Sequence, residues 1–402
     1  MTCRGSVQKP PTRVAIVSSH PIQYNAPLFR ELARRSELIV KVFYSWKGTG
    51  DQVDPEFGEK IAWDIPLLDG YESCFIPNRA RTPGTHHFLG LYNPEMVQAI
   101  EGWKPDAVLV YGWSSWTHLA VLRHFKGKVA IFFRGDSTLH SGTGFLKPIL
   151  RKHWLRWVYR HVDSVLYVGR HNLDYFRAHG VPEEELHWVP HSIDTGRFGE
   201  RGEIDKQAEN ARKRLGIGKD AVVFLFAGKL VPGKRPELLL QAFLDFRSEE
   251  PERDLHLVFA GAGSMEVTLR SMAAGSADVH FVGFQNQTAM PLTYRLGDVF
   301  VLPSRRETWG LAVNEAMASG RPIIVSDRVG CAPDLAEGFD FAVVFPSGSR
   351  EGLKQSLQRF AREPSLKALG ERARAAIEPW STERAAQKMV DAVLKHRWYR
   401  EP

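Results

Sequence analysis

The sequence predicts an α/β protein of two Rossmann-like, doubly wound domains facing across a cleft. Three observations point there. Short β-branched runs alternate with helical stretches along most of the 402 residues, the pattern of parallel sheets covered by helices on both faces. The alternation occurs twice, in halves of similar size, and the chain is long enough for two sizeable cores. Between the halves lies a charged, helix-prone stretch from about Thr195 to Lys219, punctuated by Gly196, Gly202, Gly216 and Gly218. The expected division is 12–198 for the first domain, 199–219 for a linker, 220–378 for the second domain and 379–402 for a terminal helix.

Met1–Pro11 reads as a mobile tail. Arg13-Val-Ala-Ile-Val17 is the first strand, followed by the loop Ser18-Ser-His-Pro-Ile-Gln-Tyr-Asn25, a helix over Ala26–Arg35 and a strand at Leu38–Tyr44. No G-x-G-x-x-G follows the first strand, which argues against a dinucleotide site there. From Ser45 to Pro94, glycines, prolines and aromatics without a period predict loops with short strands. Strands resume at Ala107–Tyr111, Val129–Phe133 and Ser164–Val168, with helices at 115–125 and 170–179. In the second half the expected strands are 221–226, 255–259, 279–282, 298–302 and 322–326. Helices are expected at 236–246, 265–273, 292–296, 310–319, 351–362, 365–377 and 381–398.

Composition narrows the function classes. The net charge of +7 suits anionic ligands or anionic surfaces and says nothing of fold. No finger, basic zipper or aromatic RNA-binding motif appears, so nucleic acid is not an expected partner. Cys3, Cys74 and Cys331 are scattered and odd in number, which suits a reducing compartment and neither a disulfide framework nor a metal cluster. No signal-peptide core and no run of eighteen apolar residues is present, so the expected location is cytoplasmic. The basic, aromatic stretch Phe145–His161 reads either as a packed helix with a basic solvent face or as one lying on an anionic membrane.

The stretch Pro303–Asp327 carries the chemistry. A strand ends, a polar loop holds Glu307, and a helix bearing Glu315 follows, closed by Gly320 and Pro322. If the whole interval were helical, the two carboxylates would lie about 12 Å apart, a span that fits a nucleotide sugar. Thr308, Trp309, Gly310 and Leu311 open the helix, where free N–H groups attract phosphate. In open α/β sheets ligands sit at such strand ends. Earlier, Phe226-Ala-Gly-Lys-Leu-Val-Pro-Gly-Lys-Arg235 again joins a strand to a helix, with Gly228 giving close backbone approach and Lys229 and Lys234 supplying cations. Alone, each of these motifs also reads as an ordinary loop or solvated helix face.

Glu307 and Glu315, with Ala316-Met-Ala-Ser-Gly-Arg-Pro322 after them, resemble the E-x7-E signature of retaining glycosyltransferases of family four. That resemblance implies the GT-B architecture and a terminal helix that crosses back to the first domain. It implies a nucleotide sugar as co-substrate, UDP-linked ahead of GDP-linked, no further cofactor and no metal. The acceptor would be a glycan, lipid-linked or small-molecule hydroxyl. On the membrane-lying reading of Phe145–His161, the protein is peripheral at the inner face of the membrane. Glu315 would hold the ribose hydroxyls, Glu307 the donor sugar, and Lys229 and Lys234 the diphosphate, where Lys229 stands in place of the family's usual arginine. Gly261 and Gly263 resemble the glycine pair near the donor and Phe284 the segment meeting the base; a tight turn and core packing are the competing readings. The family's histidine is replaced by Gly135 in Phe133-Arg-Gly-Asp136, which leaves Arg134 or Asp136 to take part of its role, or Asp136 to cap a turn. His20 and Asn25 are the acceptor-side candidates, and His20 reads equally as structural. Pro190-His-Ser-Ile-Asp194 resembles the family's linker motif and is expected near the cleft. A nucleotide-sugar epimerase and a noncatalytic nucleotide-sugar-binding protein are the alternatives.

Overall fold

The computed structural model describes residues 10–48, 62–141 and 147–398; most of the expected tail, 49–61 within the expected loop segment 45–94, the start of 145–161 and the end of 379–402 lie outside them. Among these residues the first sheet has seven parallel strands: β1 (Thr12–Ser18), β2 (Leu38–Tyr44), β3 (Glu72–Phe75), β4 (Ala107–Tyr111), β5 (Ala130–Arg134), β6 (Ser164–Tyr167) and β7 (Leu186–Trp188), in the order β3-β2-β1-β4-β5-β6-β7. The second has six: β8 (Val222–Ala227), β9 (Leu255–Ala260), β10 (Val279–Gly283), β11 (Val299–Leu302), β12 (Ile323–Ser326) and β13 (Ala342–Phe345), in the order β10-β9-β8-β11-β12-β13. Each order reverses beside the sheet's first strand, between β1 and β4 and between β8 and β11, and a ligand crevice opens at such a switch point.

Alternate residues of the first sheet feed two separate cores, because side chains of a strand point to opposite faces. Ala15, Val17, Val108, Val110 and Phe133 pack beneath the helices Trp116–Phe125, Lys147–Tyr159 and Arg170–Ala178. Val14, Ile16, Leu109 and Phe132 pack with Leu28, Phe29 and Leu32 of the helix Ala26–Ala33. The terminal helix Thr382–Trp398 closes that second face with Ala385, Ala386, Met389, Val390 and Val393. The chain thus crosses between domains twice, and the crossings run side by side: Ile193 N donates to Trp380 O at 3.2 Å and Thr382 N to Ile193 O at 3.1 Å.

Two helices, Met96–Trp103 and Ala332–Leu335, and two strands, β7 and β13, lie where the sequence pattern shows none. Each is short or follows a loop of glycine and acidic residues, so its period is too brief to register. The expected linker at 199–219 is a packed wall rather than an open tether. Its helix Glu203–Arg214 is fastened by Arg212, which donates to Asp298 at 2.9 and 3.1 Å, and by Asp205, which accepts from Arg295 at 2.8 Å.

Candidate active site

The crevice at the β8/β11 switch point holds a cavity of about 240 Å³. Its second-domain wall is made by the ends of β8, β9 and β10, where Gly228, Gly261 and Phe284 stand together. Gly261 is required there. Its φ is +143°, and a Cβ on it would lie 1.9 Å from the Gly228 carbonyl oxygen, so only a bare backbone lets the two loops touch. Gly263 is pinned likewise against the Leu230 carbonyl and is a packing glycine, one loop turn behind the cavity wall.

Glu315 reaches the cavity from the helix Leu311–Ala318, beside Leu311 and Ala312. Tyr294 Oη donates to its carboxylate at 2.7 Å. Enclosure by the walls pushes the Glu315 carboxyl up to about 7, against the opposing pull of Tyr294 and Arg197. Arg197 is steadied by Gln287, donating to its backbone and side-chain oxygens at 3.1 and 3.0 Å. Neither Arg197 nor Tyr294 stands out in the sequence. Arg197 lies in the stretch that reads as a junction, and Tyr294 reads as an ordinary helix aromatic.

Glu307 is in the loop, as the sequence predicts, and the helix starts only at Leu311, so the interval to Glu315 is only partly helical. It forms an ion pair with Lys234. The loop is laced to its neighbours: Arg305 N donates to Gly233 O at 3.0 Å and Glu307 N to Arg328 O at 3.2 Å. Lys229 follows Gly228 at the end of β8, half-buried. Gly310, at φ +100°, turns the chain into the helix. The side chains of Thr308 and Trp309 are engaged by other residues. The Thr308 hydroxyl donates across the cleft to Asp136 at 2.8 Å. The Trp309 indole is buried against Gly169 of the first domain, where a Cβ would come within 2.3 Å of its ring, and its Nε1 donates to Asn314 at 3.0 Å.

A second chamber of about 190 Å³ adjoins on the first-domain side. Ser18, Ser19 and Asn25 line it together with Arg134, Gly135, Asp136 and His191. Asp136 faces the cleft, and among the described residues no backbone N–H caps onto its carboxylate. Arg134 is buried, and its guanidinium donates to the Val189 and Pro190 carbonyls at 2.9 and 2.8 Å, which ties β5 to the domain crossing. The His20 ring is not brought to this wall: it packs edge-on to Trp46 at 5.9 Å and beside Gly48. His191 is brought there instead, its ring 5.5 Å from that of Tyr24. Burial, then the Arg134 charge, pushes the His191 imidazole down to about 4, against the Asp136 carboxylate. It is therefore neutral near pH 7. Tyr24 lines both chambers. Enclosure first, then the Asp136 and Glu307 carboxylates, raise its phenol above the ordinary tyrosine range. The loop Ser18–Asn25 contains Tyr24 in plain view, but nothing in a one-dimensional pattern says which of its polar groups faces the cleft.

Further contacts close the cleft. Arg170 N donates to Asp334 at 3.0 Å, and Thr288 N to Asp64 at 3.1 Å.

Residues 21–191 match the model of the glycosyl transferase 4-like domain, and residues 207–376 that of the glycosyl transferases group 1. The D-inositol 3-phosphate glycosyltransferase 2 of Catenulispora acidiphila is 37% identical over 172 residues, 40% of this chain and 39% of the relative. The mannosylfructose-phosphate synthase of Agrobacterium fabrum is 32% identical over 191 residues, 45% of this chain and 41% of the relative. The chain thus matches about two fifths of the length of these curated relatives. Among solved structures, Anabaena Alr3699/HepE in complex with UDP and glucose superposes with a TM-score of 0.70 at 16% identity, covering 96% of this chain and 100% of that one. WaaG, a glycosyltransferase involved in lipopolysaccharide biosynthesis, gives 0.67 at 17% identity, over 94% and 98% of the two chains. At these identities the likeness is one of fold, and the fold is GT-B.

Proposed function

We propose, from the two family-model matches at residues 21–191 and 207–376, that the chain moves a hexosyl group from a nucleoside diphosphate sugar to a hydroxyl acceptor with retention at the anomeric carbon. The observation that carries this reading is the cavity at the β8/β11 switch point, floored by Glu315 and continuous through Tyr24 with a polar chamber on the other domain. Glu315 accepts from the ribose hydroxyls, a role that needs its ionised form. The sugar lies toward Glu307, and the diphosphate toward Lys229, Lys234 and the first-turn N–H groups of the helix Leu311–Ala318.

As the anomeric bond lengthens, charge grows on the leaving phosphate. The two lysines and the helix N-terminus stabilise it without a divalent ion. The acceptor enters beside Asp136, Asn25 and the neutral His191, and its hydroxyl attacks from the face the diphosphate leaves, passing its proton to a departing phosphate oxygen. UDP-sugars are the first donors to try, because a solved structural neighbour holds UDP and glucose. Contact with an anionic membrane is part of the same proposal. On the helix Lys147–Tyr159, Leu150 is 72%, Ile149 56% and Trp154 40% exposed, beside exposed Arg151, Lys152 and Arg156.

The test is incubation with radiolabelled UDP- and GDP-sugars, with and without candidate acceptors and a chelator. Nucleoside diphosphate released only with acceptor, unaffected by chelator, and an α-linked product from an α-linked donor are expected. Sugar inversion without transfer would make it an epimerase, and binding without turnover a noncatalytic binder. Glu315→Ala and Lys234→Ala should each weaken donor binding roughly tenfold or more, the worth of a hydrogen bond to a charged group, with the fold kept.

A further inference from the structure

The second domain has another cavity, of about 330 Å³, at the opposite edge of its sheet. It is bounded by Asp298 and Arg321, which precede β11 and β12, whereas the donor cavity lies beyond the ends of β8 and β11. A strand length, on the order of 15 Å, separates the two.

Its chemistry is dominated by cations. Arg201, Arg212, Arg295, Arg321, Arg374 and Lys367 line it, against Asp205, Glu209, Asp298 and Glu371. Three of the carboxylates already hold an arginine each. Asp298 accepts from Arg212, Asp205 from the nearly buried Arg295, and Glu371 from Arg201. Arg321 is left over. Among the described residues it forms no ion pair, and its side chain makes one hydrogen bond, from Nε to Ser319 O at 3.2 Å. Asp298 and Asp205 act on it only through space, and enclosure lowers its guanidinium to about 10. Arg374 donates through Nη1 to Gly199 O at 3.0 Å, but its buried Nε has no partner among the described residues. The Ser319 hydroxyl, on a residue with no exposed surface, also has none.

Buried donors without acceptors are costly, and more so when charged. An arginine-rich cavity with an unmatched guanidinium and two orphaned donors lacks an acceptor-rich anion. We propose that this cavity binds a phosphate group, as inorganic phosphate or the phosphomonoester of a small metabolite. Guanidinium forks match phosphate oxygens in pairs. The cavity wall is polar and offers no aromatic face for a base, which disfavours a nucleotide. The site adjoins the far end of the helix that carries Glu315, through Ser319 and Gly320.

Calorimetric titration with inorganic phosphate and with glucose 6-phosphate, in saturating UDP to occupy the donor cavity, tests this. One site that persists under UDP is expected, weakened at least tenfold in Arg321→Gln and in Arg374→Gln. Equal binding of both probes identifies phosphate itself as the ligand, and tighter binding of the ester identifies a phosphorylated metabolite. The UDP-induced rise in Tm serves as the fold control for each variant and reads the donor site independently. Phosphate binding abolished by UDP, or equal in wild type and both folded variants, would overturn the proposal.

Discussion

At the residue scale, Glu315 has the most distinctive environment. Its carboxyl titrates near 7 because the walls that enclose it penalise the charge. The folded state therefore keeps a proton that the unfolded chain gives up near the ordinary glutamate value. Stability from this residue is greatest below about pH 4.5, declines as pH rises toward 7, and is level above that. Donor capture runs the other way, since ribose hydroxyls need the carboxylate. In wild type, kcat/KM for the donor should fall tenfold per pH unit below about 7, as the free enzyme's group protonates. Glu315→Gln should be slow but flat over the same range. An acid limb retained in that variant would assign it to another residue. His191 does not compete for this limb, since its imidazole stays neutral down to about 4.

At the element scale, the donor wall depends on three loops leaving β8, β9 and β10 at contact distance. Gly228 N donates to Ala260 O at 2.9 Å and Gly261 N to Gly283 O at 2.8 Å. Gly261→Ala would set a methyl against the Gly228 carbonyl in a backbone conformation alanine rarely adopts. The expected cost is about 2–4 kcal/mol, a Tm lower by roughly 5 °C or more, with a raised donor KM and a smaller effect on kcat. An unchanged Tm and KM would show that the loops are not packed this way. The strand–helix–strand unit around Glu315 is legible in sequence because a β-branched run, a helical period and the Gly320–Pro322 stop follow in order. The helix Met96–Trp103 and β13 are not, because at eight and four residues they are too short to set a period.

At the scale of the whole molecule, the two domains form one cleft because chain segments far apart in sequence meet there. Asp136 and Thr308 are 172 positions apart and share a hydrogen bond; Gly169 and Trp309 interlock. The membrane proposal also belongs to this scale. Leu155 and Val158 anchor the helix Lys147–Tyr159, leaving Leu150 and Trp154 one turn apart on its outer face among cations. Wild type should co-sediment with vesicles containing phosphatidylglycerol and not with neutral phosphatidylcholine, and Leu150→Glu should lower that binding at least tenfold. Equal recovery of wild type in both supernatants would refute it. By itself the sequence determined the alternating α/β elements, the pairing of two domains and the motif residues at strand ends, since these follow from local periodicity and turn chemistry. Only the tertiary structure decided which residues meet: that His191 and Tyr24 face the cleft while His20 does not, that Arg197 approaches Glu315, and that Arg321 lacks an ion-pair partner among the described residues. Those outcomes depend on where a chain crosses between domains and how side chains pack across the gap, and nearest neighbours along the chain carry no record of either.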